Sequence, residues 1–303
     1  MSNKTDEQKK DAIKTGLIME GGAMRGMFTS GVMDVLLENN ITFDGAAGIS
    51  AGAVFGCNFK SKQIGRVIRF NKKYCRDQRY CSIRSLIKTG DLYGADFCYR
   101  ELPDVLDPFD RETFRKNPVE FYVGATDVHT GKCIYHKCCD GEDRDMKWMQ
   151  ASASMPIVSK PVKVDGYTLL DGGIVDAVPY RFMEQQGYNH NVIVLTQPKG
   201  YRKSKSKASP AIRFLLRRYP AVADAMADRH VIYNRQMQEI TERGEKGVSL
   251  VIRPPEPLKI RRTENDPEEL ERVYQIGRRE GETELPKIKS FLQVDAASCG
   301  ISV

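Results

Sequence analysis

Apolar and polar positions alternate along this chain in a way that makes strands and helices take turns. Residues 15–19 are a short, mostly apolar run, read as a buried strand ending in Glu20-Gly21-Gly22. A helical period follows over residues 26–39. Asn39-Asn40 and Asp44-Gly45 are turn signals, and the small-residue run 45–49 reads as a second strand entering a helix at Ala51. Strands are expected again at 119–126, 132–136, 167–170, 191–196 and 248–252, the first two joined by the turn His129-Thr130-Gly131. Helices are expected at 143–154, stopped by Pro156, at 180–186, capped by Gly187, and at 221–243. Two polar helices, 267–280 and 284–292, close the chain. This order argues for an α/β fold of three α/β/α layers around a mostly parallel central sheet. The expected divisions are a polar tail at 1–15, an α/β body at 16–253, and a helical extension at 254–303 that starts at the stiff Pro254-Pro255-Glu256-Pro257.

Composition narrows the class. Of 303 residues, 41% are apolar and 29% charged, an ordinary globular balance. No apolar run approaches the ~18 residues of a membrane-spanning helix. Residues 1–15 are polar and lack the apolar core of a secretory signal. The eight cysteines include no C-x-x-C pair and have only four histidines as potential co-ligands. A reduced, cytoplasmic protein without a disulfide framework or zinc site is therefore expected.

Charge adds a second feature. Residues 60–88 hold ten Lys/Arg and one acid, Asp77, and residues 199–218 hold eight Lys/Arg and no acid. The whole chain carries only +7, so the remainder is acidic. Apolar residues such as Phe70, Ile83, Leu86, Phe214 and Leu215 are mixed into both islands. Basic and apolar residues together suit peripheral contact with an anionic membrane surface. A solvated helical face is the plainer reading. No nucleic-acid motif is present, and nucleic acid is not an expected partner.

Three short segments could carry chemistry. Gly48-Ile49-Ser50-Ala51-Gly52 is a G-x-S-x-G pentapeptide between an expected strand and an expected helix. There two glycines allow a sharp turn that lifts the serine hydroxyl clear of the backbone. Taken alone, it also suits a tight turn with a capping serine. Gly21-Gly22-Ala23-Met24-Arg25-Gly26 likewise follows a strand and opens a helix, where free backbone N–H groups can hold developing negative charge. Its spacing does not fit a dinucleotide loop, and no Gly-Lys-Ser/Thr follows to make a Walker loop. No cofactor or metal is expected. None of His129, His136, His190 and His230 stands in a context that suggests a catalytic base. A carboxylate is the alternative: Asp171, in Asp171-Gly172-Gly173 at the end of an expected strand, lies where open α/β sheets place their sites.

In this order and spacing, Glu20-Gly-Gly-Ala-Met-Arg-Gly26, Gly48-Ile-Ser-Ala-Gly52 and Asp171-Gly-Gly173 resemble the patatin-like phospholipase family. The likeness spans about residues 16–196 and includes Ala151-Ser-Ala-Ser-Met-Pro156. It implies a Ser–Asp dyad without histidine and hydrolysis of lipid acyl esters. Ser50 would be the nucleophile and Asp171 the general base. Backbone N–H groups around Gly22, Ala23 and Met24 would form the oxyanion hole, with Arg25 in the family's basic position. The family usually has a third consecutive glycine where this chain has Ala23; alanine serves there if its φ is negative. A soluble esterase or thioesterase acting on small acyl substrates, and a catalytically silent lipid-binding protein, remain as alternatives.

Overall fold

A computed structural model describes residues 14–206 and 209–298. Eight strands form one sheet: β1 (Lys14–Met19), β2 (Gly45–Ile49), β3 (Glu120–Asp127), β4 (Cys133–Cys138), β5 (Val162–Val164), β6 (Tyr167–Asp171), β7 (Tyr188–Val194) and β8 (Ser249–Ile252). Their order is β5-β6-β3-β2-β1-β7-β8, with β4 also paired to β3. The β3-β2-β1-β7-β8 block is parallel throughout. β4, β6 and β5 add an antiparallel margin. The expected mostly parallel, helix-covered α/β sheet is thus what the chain forms.

The apolar run of β1 is continuous because both of its faces are covered, as parallel strands require. Leu17 and Met19 face one core, with Phe28, Val32, Val192, Val194, Leu270 and Val273. Ile18 faces the other, with Ala47, Tyr180, Met183, Ile193, Tyr233 and Ile240. Helices Gly26–Glu38 and Pro267–Ser298 cover the first face, and Tyr180–Gln185 and Pro220–Glu245 the second. The 267–280 and 284–292 pair expected from the sequence is one helix, Pro267–Ser298, which continues through Gly281 and Pro286. It crosses the helix Gly26–Glu38 at very short range. A Cβ on Gly31 would lie 2.2 Å from the Tyr274 carbonyl oxygen, and one on Gly277 would lie 2.0 Å from that of Phe28. Below this crossing Asp34 accepts hydrogen bonds from the Tyr274 hydroxyl (2.7 Å) and the Gly65 N–H (3.0 Å). Burial pushes its carboxyl up to about 6.

Five of the ten cations in the first basic island are paired within the fold. Arg66 and Arg69 bind Asp107, Lys72 binds Glu271, Arg76 faces Asp266, and Arg79 binds Asp77 and Glu101. Buried Lys60 donates to the Val119 carbonyl at 2.6 Å. The carboxylates come mostly from segments far away in sequence, so the local count of charges overstated the field of this surface.

Candidate active site

β2 ends at Ile49, and the chain reverses sharply into the short helix Ala51–Val54. Ser50, at the corner, has φ +55° and ψ −120°. A left-handed backbone of this kind costs a non-glycine residue roughly 1–3 kcal/mol and persists only where the surroundings enforce it. The surroundings here are glycine contacts. A Cβ on Gly48 would lie 2.0 Å from the Gly52 carbonyl oxygen, and a Cβ on Gly52 would lie 2.3 Å from that of Met19. The turn can close this tightly only without those side chains. The Ser50 hydroxyl does not cap the helix. It donates to Asp171 Oδ2 at 2.7 Å.

Asp171 reaches Ser50 by a route the sequence did not suggest. β6 runs antiparallel to β3, against the direction of the parallel block. Its register brings its end level with the others: Ile49 pairs with Gly124, and the next residue of β3, Ala125, pairs with Asp171. Ser50 and Asp171 therefore flank one row of the sheet, two strand spacings or roughly 9.5 Å apart in backbone. Their side chains close the gap. Asp171 is 6% exposed. Its Oδ1 accepts the Gly173 N–H at 2.7 Å, and its main chain is held by Ser154 and Thr126. Burial raises its pKa; the Ser50 hydroxyl, the Arg229 charge and the Gly173 N–H pull it partly back. A carboxylate raised in this way is a better proton acceptor than a free aspartate.

The glycine loop packs beside the elbow. A Cβ on Gly21 would lie 2.9 Å from the Ile49 carbonyl oxygen. The turn of 3₁₀ helix Ala23–Arg25 leads into Gly26–Glu38. N–H groups at such a helix start have no acceptor within the helix. Ala23 has φ +50°, so the condition set for alanine at this position, a negative φ, is not met. The loop keeps the glycine-like conformation, and the alanine methyl is accommodated at the cost of strain. Ile157, also left-handed at φ +75°, borders the same cleft as Ala23 and Ser50. Strain of this sort clusters at functional sites. Arg25 Nε is 3.4 Å from Thr196 Oγ1. Thr196 in turn donates to buried Glu20 through its N–H (2.5 Å) and its hydroxyl (3.1 Å).

Several positions around Ser50 have no local sequence signal. Ser152 accepts the Ser50 N–H and bonds to Gly124, tying elbow to sheet. Two hollows meet at Ser50, Ala23 and Met155. One is apolar, walled by Phe55, Phe70, Tyr80, Tyr99, Phe109 and Met149. The other is polar and carries Glu20, Arg25, Asp171, Lys203, Arg229 and Arg262. None of the four histidines borders either hollow. His136 binds Asp145 and stacks on Trp148, and His190 bonds to the Phe291 carbonyl. The cluster of His136, Cys138 and Asp145 could in principle hold a cation. However, Asp145 already accepts the N–H groups of Cys139, Asp140 and Gly141 and bonds to His136.

A family model described as patatin-like phospholipase matches residues 17–183, more than half of the chain. A domain of unknown function, DUF6363, matches residues 219–293. The uncharacterized protein YjjU of Escherichia coli is 26% identical over 198 residues, 61% of this chain and 52% of YjjU. Lysophospholipase NTE1 of Lodderomyces elongisporus is 26% identical over 180 residues, 58% of this chain and 12% of that protein. The crystal structure of VipD from Legionella pneumophila aligns with 90% of this chain and 67% of its own at 12% identity, with a TM-score of 0.45. The chain spans about half the length of the first curated relatives it matches. On its match over residues 17–183, the chain belongs to the patatin-like phospholipase family.

Proposed function

We propose that this protein is a serine lipid acyl hydrolase, of the phospholipase A or lysophospholipase type, that works through a Ser50–Asp171 dyad. The observation that carries the reading is the 2.7 Å hydrogen bond between Ser50 and a buried carboxylate, at a strained elbow between an apolar and a polar hollow.

Asp171 accepts the Ser50 proton as Oγ bonds to the ester carbonyl carbon, and the carbonyl electron pair moves onto oxygen. The N–H groups of Gly22, Ala23 and Met24 hold that oxyanion. Collapse of the intermediate expels the alkoxide, which takes the proton from Asp171 and leaves an acyl-Ser50. A water molecule, deprotonated by Asp171, then attacks the acyl carbon, and Ser50 departs with the proton. The products are a fatty acid and a de-acylated alcohol, and no histidine is needed.

The apolar hollow supports a long acyl chain over a small ester. A chain-length series of p-nitrophenyl esters tests this point, and a preference for acetate would favour the small-ester reading. Peripheral contact with a bilayer is part of the proposal. Ile83 and Ile87 are 72% and 80% exposed beside Arg84 and Lys88, and Phe214 and Leu215 are exposed near Arg217 and Arg218. No helix among the described residues is long and apolar enough to cross a membrane. The direct test of an activated serine is a fluorophosphonate probe. It should label the native protein at Ser50 and leave Ser50→Ala unlabelled. Absence of labelling in the native protein would favour a silent lipid-binding role.

A further inference from the structure

The polar hollow has an unusual charge balance. Arg25, Lys203, Arg229 and Arg262 border it, against two carboxylates, Glu20 and Asp171. Both carboxylates accept hydrogen bonds from neutral groups, Glu20 from Thr196 and Tyr233 and Asp171 from Ser50 and Gly173, and keep their charge, so the hollow carries a net positive excess. Among the described residues, none of the four cations forms an ion pair, whereas Arg181 and Arg243 pair with Glu239 and Glu184. The cations are nevertheless held in place. Arg229 Nε donates to the Gly173 carbonyl at 2.6 Å, immediately after Asp171. Asn234 clamps the backbone of Lys203 on both sides, accepting its N–H at 2.8 Å and donating to its carbonyl at 3.0 Å. That clamp turns one residue of the second basic island inward, its ammonium 4.3 Å from the Tyr233 ring centroid.

Four cations against two carboxylates leave an excess of positive charge, which is costly to hold away from water. The strain shows in Lys203: burial, then the repulsion of Arg229, pushes its ammonium down to about 7 from an ordinary 10.5. Burial also lowers Arg229, although Asp171 opposes the shift. An anion placed among these groups would remove the repulsion and make charge-assisted hydrogen bonds. On the other side of Ser50, the walls are apolar and suit one acyl chain.

We propose that the substrate is a single-chain lipid with an anionic phosphate head group, its acyl chain in the apolar hollow and its phosphate among Lys203, Arg229, Arg262 and Arg25. The inference rests on the acyl-hydrolase reading above and extends it by naming the substrate class. It also gives a role to the segment that follows the hydrolase core. Arg229 and Arg262 lie within residues 219–293, and with Lys203 they supply the charge that residues 17–183 contribute only through Arg25. The segment would thus select the head group, while the core performs the hydrolysis.

The experiment compares oleoyl lysophosphatidic acid with mono-oleoyl glycerol, which share acyl chain and glycerol and differ in the phosphate. In the native protein the ratio of kcat/KM, anionic over neutral, should be roughly tenfold or more, the scale of charge-assisted recognition. In Lys203→Ala and Arg262→Ala the ratio should fall toward one, and Arg262→Lys should recover part of it. Thermal melting verifies that each variant is folded, and the ratio is insensitive to the amount of active protein. Binding of both lipids to the Ser50→Ala protein, read by calorimetry below their aggregation concentrations, measures the same preference without turnover. If no ester is hydrolysed but lysophosphatidic acid still binds preferentially, the hydrolase reading fails and the head-group site stands. Equal handling of the two lipids, or a ratio unchanged in both alanine variants, overturns the proposal. So does inorganic phosphate binding as tightly as lysophosphatidic acid, since the chamber would then take a free anion.

Discussion

The hydroxyl of Ser152 accepts the backbone N–H of Ser50 at 2.9 Å and donates to the Gly124 carbonyl at 2.6 Å. One side chain therefore fixes the elbow to the neighbouring strand. Ser152→Ala leaves a buried donor and acceptor without partners, at a cost of about 1–3 kcal/mol. In the proposed dyad Ser152 positions the nucleophile, so kcat should fall with KM little changed, and Ser152→Thr should restore part of the rate. Steady-state kinetics beside chemical denaturation checks this. An equal loss of stability with native kcat would reduce Ser152 to a packing role.

Backbone strain at Ser50 and Ala23 gives a second expectation. Glycine adopts φ near +50° freely, whereas other residues give up roughly 1–2 kcal/mol there. Ser50→Gly should therefore be more stable than Ser50→Ala, which keeps the strain and loses the bond to Asp171. Ala23→Gly should stabilise the protein by about 1 kcal/mol with hydrolysis retained, because the loop conformation is already that of a glycine. Urea denaturation of the three variants against the native protein measures this.

How much of this site could be read from the chain depends on how far apart its parts lie. Ser50 and the Gly21–Gly26 loop are contiguous motifs whose glycines report backbone geometry directly, and Asp171 carries its own Gly-Gly mark. The direction of β6 was not legible, because a five-residue strand has the same apolar pattern whichever way it runs. Lys203 and Arg229 were hidden for another reason. In the sequence, the first is one of many cations in an island and the second one polar position on a long helix. Only the clamp from Asn234 and the reach to Gly173 select them. The break expected near Gly281 did not occur because glycine there permits close packing against Val35, so the helix gains contact where a free helix would weaken.

Burial raises the Asp171 carboxyl, and the proposed dyad ties the pH dependence to it. In the proposed dyad the deprotonated form is the base, so kcat/KM should fall with acid through an apparent pKa above 3.8. Removing the Arg229 charge in Arg229→Gln removes an influence that lowers this pKa, and the acid limb should move to higher pH. Stability carries the opposite mark. Because the folded state binds this proton more tightly than the unfolded chain, the ionised carboxylate destabilises at neutral pH. Asp171→Asn should therefore melt above the native protein at pH 7, and the difference should shrink as pH falls through the folded pKa.

At the crossing of helices Gly26–Glu38 and Pro267–Ser298, a methyl group at residue 277 would sit 2.0 Å from the Phe28 carbonyl oxygen. Backbone has to move to admit it. Gly277→Ala should destabilise by at least about 1–3 kcal/mol, the usual range for overpacking. The same substitution at Gly247, where a Cβ has nothing within 4 Å but φ is +69°, should cost only the conformational strain of about 1 kcal/mol. Denaturation midpoints of the two variants separate steric contact from backbone conformation.

Ser50 and Asp171 are proposed to act as nucleophile and base without an imidazole. The most direct test is the release of oleic acid from oleoyl lysophosphatidic acid by the native protein, Ser50→Ala and Asp171→Asn, each shown folded by its melting curve. The dyad predicts turnover by the native protein and a loss on the order of 10⁴-fold in both variants. Near-native turnover by either folded variant would contradict it.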